Sequence, residues 1–108
     1  IQYLEEAGEW GNVNCFVSAG KVCEQAGETR RATGLYQKAI DHGMTDGYYY
    51  QALVCGQDKM ALELLNKGDK AGSRLAQEGL GICYENGIGV KTDLKKAEKF
   101  IFMEYFYR

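Results

Sequence analysis

The chain contains no proline, one histidine and one tryptophan. With no proline, nothing in the composition interrupts helices, and the punctuation falls to the 14 glycines, which close helices in left-handed conformations at no steric cost. A single histidine and four cysteines without any C-x-x-C spacing exclude the usual zinc arrangements. Cationic excess is also missing. Thirteen Lys and Arg against 15 Asp and Glu leave a net charge of −2, which argues against nucleic acid or an anionic membrane as partner. No run of about 18 apolar residues exists, so no segment is suited to direct membrane insertion. No basic stretch followed by an apolar one marks a leader, and the segment from Phe100 to Tyr107, apolar on nearly every helical face, is expected to belong to a chain cut from a longer protein.

What is present reads as one folded domain. A length of 108 residues suits a single unit, and 45% hydrophobic with 26% charged residues exclude disorder from low hydrophobicity. Cys15 and Cys23 lie eight apart in one expected helix, about 12 Å at 1.5 Å rise per residue. A disulfide spans no more than about 7 Å between Cα atoms. The four cysteines are therefore expected to be buried thiols acting as small hydrophobes, and unpaired thiols favour the cytoplasm. No acid–base pair or activated nucleophile stands out, so no catalytic residue, cofactor or metal ligand is assigned.

The chain repeats itself. A shift of 32 residues aligns Ala7 with Ala39, Gly11 with Gly43, and Val22-Cys23 with Val54-Cys55. A shift of 29 brings Ala32 onto Ala61 and Gly43 onto Gly72, and one of 36 brings Ala61 onto Ala97. A period wandering over this range fits helix pairs joined by unequal loops. Local signals predict six helices: Asn12 or Asn14 to about Gln25; Thr29 to a stop at Gly43; Asp46 to Val54; Asp58 to about Gly68; Ser73 through Tyr84, terminated by Asn86-Gly87; and one capped by Asp93 that runs into the aromatic tail. Residues 1–11 read as the end of a preceding unit, followed by units at roughly 12–43, 44–72 and 73–108. Within each pair, small residues let backbones approach while aromatics fill the space beside them: Phe16, Ala19, Gly20 and Cys23 face Ala32, Tyr36 and Ala39.

The third unit carries a specific motif. Ala76, Leu80, Gly81, Tyr84, Gly87, Gly89, Val90, Asp93, Lys96 and Ala97 follow the pattern A-x-x-x-L-G-x-x-Y-x-x-G-x-G-V, then an acidic residue, then K-A. This segment resembles the Sel-one-like repeat, a relative of the tetratricopeptide repeat, and the first pair resembles a tetratricopeptide repeat in the order of its small and aromatic positions. The second unit departs, replacing the glycine loop by the tighter Cys55-Gly56-Gln57-Asp58. Gly87-Ile88-Gly89 follows a helix and no strand precedes it, so it is a packing turn and not a phosphate cradle. Gly87 is expected to close one helix, Val90 to tuck under the turn, and Lys95, Lys96 and Lys99 to lie on the solvated side.

The resemblance implies an all-α, right-handed α-solenoid of antiparallel helix pairs, about three pairs plus a partial leading helix. It implies a non-catalytic adaptor or scaffold that binds a protein or peptide. Matching to the tetratricopeptide pattern places Asn14, Val17, Lys21, Asp46, Tyr49, Leu53, Leu75, Glu78 and Ile82 on the concave side. Tyr49 and Leu53, one turn apart, form the apolar anchor, although the Tyr48-Tyr49-Tyr50 run must put at least one ring between units. The interunit disulfides of cysteine-rich members are not carried over, because all four thiols fall in first helices. Phe102, Tyr105 and Phe106 are expected to meet the next repeat or a second copy, giving self-association through the C-terminal helix. Two alternatives remain open: an accessory segment of a larger enzyme, and a dimeric secretion chaperone of tetratricopeptide type.

Overall fold

A computed structural model describes the backbone of residues 2–106 and the side chains of residues 2–101. These residues are all-α, with no strand among them. Seven helices follow in order: α1 (Gln2–Glu9), α2 (Asn14–Gln25), α3 (Thr29–Asp41), α4 (Gly47–Val54), α5 (Asp58–Lys70), α6 (Arg74–Asn86) and α7 (Leu94–Phe106). Every helix packs on the next one in sequence, and α2 also touches α4, as α4 touches α6.

The helix ends show which local signals act. Ser73 caps α6, its Oγ accepting from the Ala76 amide at 3.1 Å. Asp93 caps α7, its Oδ1 accepting from the Lys96 amide at 3.1 Å. Gly87 closes α6 at φ 72°, a left-handed conformation costly for a residue with a Cβ. Three expectations need correction. Neither Asn12 nor Asn14 caps α2 by its side chain; Val13 holds the cap position, and α2 starts from the backbone turn in which the Cys15 and Phe16 amides donate to the Asn12 and Val13 carbonyls. Asp46 sits at the cap of α4 without capping it, because its carboxylate accepts from Ser73 Oγ instead. Finally, α5 runs past Gly68 to Lys70. Gly68 lies inside the helix where it passes α6, and a Cβ there would stand 2.6 Å from that of Ala76.

Burial divides the interior into two clusters. The first gathers Phe16, Ala19, Cys23, Ala32, Leu35, Tyr36 and Ala39 from α2 and α3, with Val17, and draws in Leu4 from α1 and Tyr50 and Val54 from α4. The second gathers Ala52, Leu65, Ala76, Leu80 and Cys83, with Tyr49, Tyr84 and Phe100 packed against it. Each fully buried large side chain, such as Phe16 or Leu80, contributes about 1.5–3 kcal/mol by leaving water. The small residues expected at helix crossings are there: Gly20 lies against the Tyr36 ring, so closely that a Cβ would collide with Cε1. Tyr36 donates its hydroxyl to Glu24, and Tyr50 stacks on its ring at 5.4 Å.

The thiols do not all behave as expected. Cys23 and Cys83 are buried, whereas Cys15 and Cys55 are half-buried, and all four are free. Cys55 lies just past the end of α4, where its Sγ donates to the Ala52 and Gln57 carbonyls, both at 3.3 Å. It begins the short turn into α5 and does not fill a core. Val90 is half-buried, and Lys95, Lys96 and Lys99 are exposed, with Lys96 Nζ 5.0 Å from the Tyr84 ring centre.

Candidate functional site: a cleft between three helices

The short turn between α4 and α5 brings the start of α5 against the loop that leaves α6. Gly89, at φ 73°, lies so near the Asp58 carbonyl that a Cβ would meet its oxygen at 2.6 Å. This approach pins the two turns side by side and leaves a cleft of about 310 Å³ above the second core. Its walls come from α4 (Tyr49, Ala52, Leu53), α5 (Asp58, Ala61, Leu65) and α6 (Gly79, Ile82, Cys83), with Gly56, Gln57 and Ile88 from the turns. Gly79 is needed at the back of the cleft, where a Cβ would run into Leu65 Cδ2 at 2.8 Å.

The lining is mostly apolar, and two of its side chains also face water. Leu53 is 60% exposed and Ile82 44%. Tyr49 stands between them and the interior: half-buried, it packs on the second core and meets Tyr50 edge-on at 5.5 Å between ring centres. Burial raises the pKa of its hydroxyl, and the charge of Glu78 and the neighbouring Tyr50 add to the effect. Burial likewise raises the Cys83 thiol, helped by the negative charge of Asp58, so this thiol stays protonated at neutral pH. Both groups are therefore uncharged at neutral pH. Among the described residues no three His, Cys, Asp or Glu side chains gather as a metal site would require. His42 places Nδ1 2.8 Å from the Lys38 carbonyl oxygen and its ring 5.0 Å from Phe16.

The nine residues expected on one concave surface are distributed unequally. Tyr49, Leu53 and Ile82 line the same cleft. Glu78 is exposed one turn before Ile82, and Leu75 is half-buried. Asn14 is exposed at the first position of α2. Lys21 is exposed but engaged, its Nζ 5.0 Å from the centre of the Tyr50 ring. Asp46 is half-buried and joined to Ser73. Val17 is 7% exposed and belongs to the first core, which leaves almost none of its side chain for a partner. Phe102, Tyr105 and Phe106 have side chains outside the described residues.

Sequence reasoning did not identify the floor and lower rim: Ala52, Gln57, Asp58, Ala61 and Ile88. The signal for them was visible as the tight Cys55-Gly56-Gln57-Asp58 turn. What it could not show was that Gly89 would close on Asp58 from thirty-one residues away. The sequence matches no protein-family model and none of the curated proteins.

Proposed function

We propose that this chain is a non-catalytic interaction module, built as stacked helix pairs of the Sel-one-like and tetratricopeptide kind in a right-handed α-solenoid, and that it binds a protein or peptide partner. The observation that carries this reading is the cleft between α4, α5 and α6. Leu53 and Ile82 leave large apolar surface in water at its mouth, and a fixed concavity lies between them. Desolvated apolar anchors set in pockets dominate the binding energy of most protein interfaces. The volume is near the lower limit for small-molecule sites and suits one or two inserted side chains better than a large cofactor. The contacts of α2 with α4 and of α4 with α6 support the stacking part of the proposal, since a repeat stack brings every second helix together.

The test uses a Leu53→Ala, Ile82→Ala double variant. Both side chains are exposed, so truncation should leave the circular dichroism spectrum and melting point nearly unchanged. Affinity capture from the source lysate, quantified by mass spectrometry, is expected to recover a protein with the wild type and to lose it with the variant. Equal recovery with both proteins would refute the cleft as the working surface.

A further inference from the structure

Among the described residues lining the cleft, the one charged side chain is an acid, Asp58, at the start of α5. Across the cleft, Glu78, Ile82 and Glu85 occupy positions i, i+4 and i+7 of α6, so two carboxylates bracket the exposed isoleucine along one helix face. All three acids are exposed, and none takes part in an ion pair among the described residues, where the pairs join Arg31 to Glu5 and Glu28, and Lys38 to Glu9. The cations nearest in sequence do not neutralise them: Lys59 follows Asp58, and Arg74 precedes Glu78 by one turn, yet neither is paired with either acid. Lys21, on α2, is already held over Tyr50.

Resting on the reading above, we infer that the cleft takes a peptide segment that inserts one bulky apolar side chain between Leu53 and Ile82 and sets a lysine or arginine beside it, against Asp58 and Glu78. The apolar side chain supplies most of the affinity by leaving water. The cation selects among peptides: an acidic neighbour would meet like charges from both rims, a penalty that a basic or neutral one escapes. Because both carboxylates are solvent-exposed, the selection is modest and sensitive to salt.

Three fluorescein-labelled octapeptides test this, each with a central Leu-Phe pair flanked by two lysines, two serines or two glutamates, titrated against the full chain by fluorescence anisotropy. At low ionic strength the lysine peptide should bind roughly three- to tenfold tighter than the serine peptide, and the glutamate peptide weakest. High salt, or an Asp58→Asn, Glu78→Gln double variant, should bring the three together, and the Leu53→Ala, Ile82→Ala variant should abolish binding of all. If the peptides bind the wild type equally, or the glutamate peptide binds tightest, the charge selection is wrong while the cleft reading survives. If no peptide binds, or binding ignores the Leu53 and Ile82 truncations, the cleft reading falls and this inference with it.

Discussion

Gly20→Ala and Gly34→Ala are the same chemical change in the middle of two adjacent helices, and they should shift stability in opposite directions. In an exposed helix interior, replacing glycine by alanine gains about 0.8–1 kcal/mol, because alanine loses less backbone freedom on folding. Gly34 lies in α3 with nothing within 4 Å of the place a Cβ would take, so it should show this gain undiminished. Gly20 in α2 should not. Its Cβ would collide with Cε1 of Tyr36 and stand 2.8 Å from Cζ, where ordinary carbon contacts sit at about 3.5–4.0 Å. The ring cannot swing aside cheaply: it is completely buried, its hydroxyl is held by Glu24, and Tyr50 stacks on its face. Overpacking of this kind costs about 1–3 kcal/mol and can exceed that in a rigid setting, which outweighs the propensity gain. Thermal unfolding followed by circular dichroism should therefore move down for Gly20→Ala and up for Gly34→Ala, by roughly 4–8 °C per kcal/mol in a domain of this size. A Tyr36→Leu background should remove much of the Gly20→Ala penalty, visible as a coupling energy in a double-mutant cycle. If Gly20→Ala raises the melting point as much as Gly34→Ala does, the helix crossing described above is wrong.

Two further predictions concern polar groups in the interior. Ser73→Ala should destabilise by about 1–2 kcal/mol in urea unfolding, since the hydroxyl both caps α6 and donates to Asp46, and Asp46→Asn should cost less because the cap survives. Stability should also fall in alkaline solution. Burial raises the Tyr36 hydroxyl far above its ordinary value, with the bond to Glu24 adding to it, and Tyr49 and Tyr50 shift the same way, again chiefly through burial. The folded state then holds protons that the unfolded chain releases, so this stabilisation is complete below about pH 10 and is lost as pH rises beyond it. Tyr36→Phe should flatten the decline between pH 10 and 12; an unchanged slope would show that the Tyr36 hydroxyl does not carry it.

Much of the helical layout was legible from residues acting over three or four positions. Ser73, Asp93 and Gly87 cap or close helices by contacts within one turn, and these ends fell where the sequence pointed. Where a polar residue had a distant alternative, local reasoning failed. Asp46 gives up its own helix end to bond Ser73, and Gly68 serves the crossing of α5 with α6 rather than a helix stop. The candidate surface divides the same way. Helical spacing brought Tyr49 and Leu53 to one face, but it could not separate Val17, which turns into the first core, from Ile82, which stays at the surface. Nor could it place Asp58 at the rim, which depends on how closely Gly89 approaches it.

The eight residues of α4 belong to both cores at once. Tyr50 and Val54 reach into the first, Tyr49 and Ala52 into the second, and Gln51 donates to Gln37 and to the Thr33 carbonyl on α3. The helix pairs in substantial contact lie no more than two apart along the chain, so the two halves communicate mainly through this short segment. Cooperativity extends only as far as such shared elements carry it. While α4 is formed, each core reports on the integrity of the other; fraying of α4 would break the main link between them. Because α4 also forms one wall of the cleft, anything gripped between Leu53 and Ile82 would brace the junction and make the two halves melt as one.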